Sequence, residues 1–485
     1  MPIRQILLLL VVVAISLIAL IRPRLGLYGY LWYGLMRPDV LAWVDQEDNY
    51  YSLLMAVALL IGSLAHLFEF RNLFLEPIGV MILLLQIPIG FSVLAAYSTA
   101  LAVPRYSFFI RMIAILLLIP VLVHTEKHVR ELLLVIVGSL GFVAAKWGLY
   151  GLVHGGVEIE RGYGPMLADN NFVALACAML LPAAWHAASA GVSFPFRVGA
   201  YVVAGLTVPA VIMTNSRGGS IALGVGILLV LLRSRQRIIA ALLIGSCLTG
   251  AVFLAQDFYV DRLRTLQAPA EESSAMSRIL HARAALSMWL DHPLFGVGFG
   301  GINYSVLLRQ YSEDLAGHVV HNSYLQMLVD SGILAFLLYA GALFYGIYRL
   351  ERSYGEHRNA APNRAAIARA LQGPLIVFAV GSSFYSVQRI DLVYIFLLCA
   401  SAWRVAEGRL EAGPEAAAAP APAPSAHPSK LWSGRGARRR SPAGITQKFR
   451  AAPGISRTMT SAQGIATRLR SLGSTRAARR DSSER

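Results

Sequence analysis

Several short polar clusters in an otherwise apolar chain hold the residue types that chemistry needs. In TNSRGG, Arg217 stands at the mouth of an apolar run, beside Gly218 and Gly219. A fixed guanidinium makes bidentate contacts with phosphate, and neighbouring glycines let a ligand or another backbone come close. A plain interfacial anchor accounts for the same arginine. Arg278, His281 and Arg283 follow at i, i+3 and i+5, which puts the first two on one helix face. A solvated helix surface explains them equally well. His318 and His321 are three apart, with no H-E-x-x-H pattern and with Asp314 and Asp330 at spacings unsuited to zinc, so no metal is expected. His321, in HNSYLQ, sits where a loop enters an apolar run. An imidazole there suits general base work, or is simply structural. Asp391, beside Arg389, either orients that imidazole or forms an interfacial ion pair.

Upstream, the stretch KWGLYGLVHGGVEIERGYGPMLADNN breaks an apolar run with Lys146 and adds Arg161. Asp169 and Asn170 near its end read as a helix cap that satisfies orphan amides, which leaves the two cations unexplained. HPLFGVGFGG carries Gly296, Gly298, Gly300 and Gly301. It follows a helical pattern and has no acidic partner about 20 positions on, so a turn is expected rather than a dinucleotide site.

The elements that must position these residues follow from composition. Of 485 residues, 56% are hydrophobic and 14% charged, and the mean hydropathy is +0.57. Ordinary soluble domains carry about 25% charged residues, so a soluble enzyme is excluded. Cys177, Cys247 and Cys399 each lie in an apolar run without a C-x-x-C pair, which points away from a disulfide framework or a thiolate metal site.

A helix needs about 20 apolar residues to cross a bilayer. Runs of that kind begin near Gln5 and recur to Leu392, predicting an all-α polytopic membrane protein with about twelve transmembrane helices. Residues 1–255 form an N-terminal bundle, 256–322 a large loop with short helices such as Ser277 to Leu290, 323–407 the C-terminal helices, and 408–485 a disordered basic tail. From Glu411 onward there are fourteen Lys or Arg against four Asp or Glu, contributing +10 of the net +16. Short loops rich in Lys and Arg stay cytoplasmic. Arg233, Arg235 and Arg237 mark one, Arg349 to Arg369 another, and the tail a third. Counting spans from these anchors puts residues 151–171, 214–219, 256–322 and 388–391 together on the opposite face.

The order of motifs resembles a known family. RPRLGLYGYLWYGLMRPDVLAW, SLGFVAAKWGLYGLVHGG, GPMLADNNFVALACAMLLP, NSRGGSIALG, DHPLFGVGFGG and HNSYLQMLVDSGILAF together resemble the O-antigen ligase and polymerase superfamily, and within it the exosortase A-associated O-glycosylation ligases. The resemblance covers residues 1–405. It implies a GT-C-like, metal-independent glycosyltransferase of the bacterial inner membrane, without cofactor. Such an enzyme moves a glycan from undecaprenyl diphosphate to a protein or glycan acceptor hydroxyl at the periplasmic face. Arg217 and His321 match the family's diphosphate-binding arginine and essential histidine. Arg278 is a further arginine match, Asp391 resembles an acidic residue near the last span, and Lys146 stands where the branch places lysine, although Trp147 replaces the glycine expected after it. Lys146, Arg161, Arg217 and Arg278 are thus the expected diphosphate contacts, with His321 and Asp391 at the reaction centre.

The physical requirements agree. A lipid diphosphate needs an apolar slot and fixed cations, and its departure needs charge stabilisation rather than a nucleotide. A polymerase that joins two lipid-linked glycans uses the same face. A transporter of lipid-linked glycans is the remaining rival, although no internal repeat of the kind common in transporters is visible. Partners are therefore a lipid-linked donor, an acceptor and membrane lipids, with no nucleic acid.

Overall fold

The computed structural model describes residues 2–44, 50–154, 159–160, 162, 169–254, 270–311 and 319–411, and among them every regular element is helical. Among the described residues eight helical stretches are long and apolar enough to cross a bilayer: Ile3–Ile21, Tyr51–Phe74, Pro77–Leu94, Thr99–Leu122, Glu126–Val153, Phe194–Ile212, Ser323–His357 and Pro362–Gly381. The chain is a polytopic helical membrane protein. The expected twelve is not reached on these criteria, for identifiable reasons. Pro23–Met36 has 14 residues and Arg217–Arg233 has 17, while Asp391–Glu411 carries five charged residues along its length.

The helix Asn170–Ala187 forms the centre, with every residue from Val173 to Ala187 buried. Its alanine-rich sequence leaves backbones little to hold them apart, and it packs against Phe194–Ile212, Arg217–Arg233 and Pro362–Gly381. A helix that is apolar all round belongs inside a bundle.

The helix Arg217–Arg233 separates two polar ends. Its 17 residues span about 25 Å at 1.5 Å per residue. At the Arg233 end, Arg233 reaches Gln372 Oε1 at 2.8 Å and Glu351 at 3.2 Å, and Arg235 donates to the Arg358 carbonyl at 2.5 Å. The two internal basic loops thus share one end. The Arg217 end gathers the clusters described below.

Part of the large loop is a packed layer. Helices Ala270–Asp291 and Ile302–Tyr311 bury Ala285, Met288, Tyr304 and Leu308 against Val329 of the Ser323–His357 helix. The expected helix over Ser277 to Leu290 lies within the first of these. The glycine-rich stretch between them is a turn with positive φ at Gly296, Gly298, Gly300 and Gly301, and it enters a break in the long helix. At Gly332 the backbone turns to φ 76° and ψ −177°. The carbonyls freed there accept from the turn, Val329 O from Val297 N at 2.9 Å and Asp330 O from Gly298 N at 3.0 Å, while Ile333 N donates to Pro293 O at 3.0 Å. The kink therefore has a cause: inserted backbone takes over the helix's own hydrogen bonds.

Candidate functional site

The NSRGG segment turns sharply before its helix. Asn215 adopts φ 54°, and Ser216 caps the helix by accepting from Gly219 N at 3.1 Å. Ser216 Oγ also donates to Asn171 Oδ1 at 2.8 Å, and Asn170 Nδ2 donates to Thr214 O at 2.9 Å. Asp169 caps the central helix by accepting from Asn171 N and Phe172 N, as its sequence context predicts. The two glycines provide room. A Cβ on Gly218 would lie 2.6 Å from the Tyr385 hydroxyl, and one on Gly219 would lie 2.3 Å from Ala174 Cβ. Arg217 is exposed as the first residue of its helix, where the positive end of the helix dipole adds to its charge for any anion that approaches.

Tyr385 closes this cluster from the loop before the last helix, with its hydroxyl 2.5 Å from Ser216 Oγ. Burial pushes its pKa up to about 12, against the pull of the Ser216 hydrogen bond and of the nearby Arg278 guanidinium. The phenol therefore remains a donor. Asp169 acts on it from the opposite direction, so Tyr385 gathers the fields of Asp169, Ser216 and Arg278.

His321 approaches from the long helix. It sits at φ 56°, a left-handed conformation unusual outside glycine, immediately before Asn322, which caps Ser323–His357 by accepting from Tyr324 N and Leu325 N. Its ring lies 6.4 Å from that of His281, centroid to centroid. His281 is buried next to Tyr304, whose hydroxyl donates to its carbonyl at 3.2 Å, while Arg278, one turn earlier, is exposed. The i, i+3 pair thus splits: one member packs beside His321, and the other faces outward near Tyr385.

Beneath His321 runs a buried polar chain. His321 N donates to Ser386 Oγ at 3.0 Å, Ser386 donates to Gln326 Oε1 at 3.1 Å, and Gln326 Nε2 donates to Asp330 Oδ1 at 2.8 Å. The other Asp330 oxygen accepts from Gly300 N at 3.2 Å and from Gln388 Nε2 at 3.4 Å. Asp330 is wholly buried, and Arg389 is its charged neighbour. Burial lowers the Arg389 pKa, opposed by Asp330 and reinforced by Arg105. One carboxylate therefore connects the glycine turn to the loop that holds His321.

The remaining expected residues are spread more widely. Asp391 begins the last helix, half-buried, with Oδ1 enclosed and without a hydrogen-bond partner among the described residues. Arg37, itself held by Asp39 at 3.0 and 2.7 Å, acts on it electrostatically, and Asp391 in turn acts on Tyr30. Asp391 thus faces groups of the N-terminal segment, whereas His321 lies beside His281 and Ser386. Lys146 is exposed, 5.9 Å from the ring of Trp147. Arg283 is exposed on the Ala270–Asp291 helix. Arg161 and His318 lie outside the described residues, as do 412–485 of the tail. Among the described residues no three His, Cys, Asp or Glu side chains gather as a metal site would require.

Sequence reasoning missed Tyr385 and the structural part of Asp330. Tyr385 is one of 20 tyrosines, with nothing in its neighbours to mark it. Asp330 carries a usable signal, a carboxylate inside an apolar run, which a test of its spacing for metal binding does not use.

The cluster made by Thr214 to Gly219, Arg278 and His321 falls within residues 202–340, and these residues match the O-antigen ligase family. This stretch is similar to O-antigen ligases and supports a membrane protein of the O-antigen ligase and polymerase type. The groups at Asn170 to Asn171 and Tyr385 to Gln388 flank this matched segment in sequence and hydrogen-bond to it in space. Residues 3–189 match a family of unknown function, and Asp169, Asn170 and Asn171 belong to that segment. No curated protein matches the chain.

Proposed function

We propose that this protein is a membrane glycosyltransferase that moves a glycan from undecaprenyl diphosphate to an acceptor hydroxyl on a protein or glycan, with inversion and without a metal. The observation that carries this reading is the Ser216–Tyr385 contact, beside the turn that bears Arg217, within the field of Arg278 and one residue from the Ser386 that accepts from His321 N, in a chain whose residues 202–340 match the O-antigen ligase family. In this reading the acceptor oxygen attacks the anomeric carbon and the bond from that carbon to the diphosphate oxygen breaks. The lipid diphosphate leaves with the electron pair, and His321 takes the acceptor proton. Arg217 and Arg278 stabilise the charge that builds on the departing phosphates, and the Tyr385 phenol keeps NSRGG in place. The basic loops at the Arg233 end favour a cytoplasmic position for that end. The reacting face is then periplasmic in a bacterial inner membrane. The resemblance to exosortase-associated ligases suggests an acceptor of that branch.

The test uses the full chain in detergent or lipid nanodiscs with radiolabelled glycan on undecaprenyl diphosphate. Transfer that starts only when a protein or glycan acceptor is added supports this assignment. Chain growth from donor alone makes the protein a polymerase, and absence of both reactions with an inserted, folded protein overturns the assignment.

A further inference from the structure

At the end of the bundle away from His321, a cleft of about 410 Å³ opens between the 3₁₀ segment Leu64–Phe74 and the end of Asp391–Glu411. Arg71, Arg404, Arg409 and Glu76 are among the residues that line it. Most charges here are matched. Glu76 pairs with Arg349 and Arg404 at 3.6 Å each, Arg404 reaches Glu407 at 3.6 Å, and Arg409 pairs with Glu69 at 2.6 Å. Arg71 is exposed and has no hydrogen bond or ion pair among the described residues. Four guanidinium groups thus face three carboxylates, and the surplus charge is at Arg71.

The surroundings indicate how a ligand would arrive. Phe68, Phe74 and Leu75 flank Arg71 in sequence and are 88%, 62% and 63% exposed. Such side chains belong among acyl chains, and a guanidinium beside them belongs at headgroup depth. An apolar belt around a cleft with one unmatched cation fits an amphiphile with a single negative charge. Basic pockets between membrane helices are suited to anionic headgroups. We propose that this cleft holds the phosphodiester of an anionic glycerophospholipid that enters from the surrounding bilayer, with Arg71 as its principal contact. The proposal is independent of glycan transfer at the other end.

The test is native mass spectrometry of the full chain in detergent, with phosphatidylglycerol and phosphatidylcholine of identical acyl chains. Preferential retention of phosphatidylglycerol is expected, falling about fivefold in Arg71→Gln and persisting in Arg71→Lys, on the scale of one interfacial basic residue. Arg71 is exposed, so Arg71→Gln should insert and melt like the wild type. Inorganic phosphate in excess should leave the lipid adduct in place. Equal retention of the two lipids, an unchanged preference in Arg71→Gln, or displacement by inorganic phosphate would each overturn the assignment.

Discussion

The Tyr385 hydroxyl lies 2.5 Å from Ser216 Oγ, joining positions 169 residues apart. The next residue, Ser386, accepts from His321 N at 3.0 Å, and the Tyr385 carbonyl accepts from Ser323 Oγ at 2.6 Å. Two consecutive residues therefore set the distance between the arginine-bearing turn and the histidine-bearing turn. Neither turn is positioned by its own helix alone, because both adopt left-handed backbone just before the helix begins, at Asn215 and His321.

Tyr385→Phe keeps the ring and removes this link. A stability loss of about 1 kcal/mol is expected, the usual worth of one such hydrogen bond, with a fall in kcat/KM of about tenfold because Arg217 loses its register. The pH dependence has a definite sign. The folded phenol, raised to about 12, lies above its ordinary value of 10. Its stabilising contribution is complete below pH 10 and lost as pH rises towards 12. Thermal melts across that range should show less alkaline loss in Tyr385→Phe than in the wild type.

Asp330→Leu removes the acceptor for Gly300 N and for the amides of Gln326 and Gln388, and leaves Arg389 without its carboxylate neighbour. Each stranded polar group costs about 1–3 kcal/mol, so the melting temperature should drop sharply or the protein should fail to accumulate. Asp330→Asn keeps an acceptor oxygen and should lose less. Thermal unfolding in detergent checks the order, and a wild-type melt for Asp330→Leu would contradict it.

Gly332→Ala tests whether the glycine turn holds the kink. A Cβ there would lie 2.0 Å from Leu294 O, on backbone at φ 76°. The conformation alone costs about 1–3 kcal/mol for a residue with a side chain, and the collision must displace the turn. Expected results are reduced thermal stability and faster proteolysis within residues 292–301, both measurable in membranes.

The convergence of distant polar segments was legible because ionisable groups in an apolar chain are few, and basic loops fix which ends lie together. The turn at HPLFGVGFGG, the cap at Asp169 and the helix carrying Arg278 and His281 were legible from local chemistry. What could not be read depends on tertiary contact. Ser216 meets Tyr385 because Gly218 has no side chain, and nothing near Tyr385 announces that. Asp391 is the instructive case. Its place beside Arg389 in the sequence offers either a partner for His321 or an interfacial ion pair, and nothing local announces that Arg37, from a segment more than 350 positions earlier, also acts on it.

Asp391→Asn should accordingly leave the pH profile of transfer unchanged while altering stability in a way that depends on Arg37. A double-mutant cycle with Arg37→Gln measures this, with a coupling of about 0.5 kcal/mol expected on top of the loss that Arg37→Gln causes by stranding its partner Asp39. Additive losses together with an altered pH profile would place Asp391 with His321 instead.

The decisive measurement is the transfer rate of His321→Asn and Arg217→Ala against the wild type, using labelled lipid-linked donor, added acceptor and equal amounts of inserted protein. Asparagine tolerates the left-handed backbone at position 321 but cannot act as the base. A fall of about 100-fold or more in each variant, with unchanged melting temperature, is predicted. Wild-type transfer by His321→Asn would contradict the account.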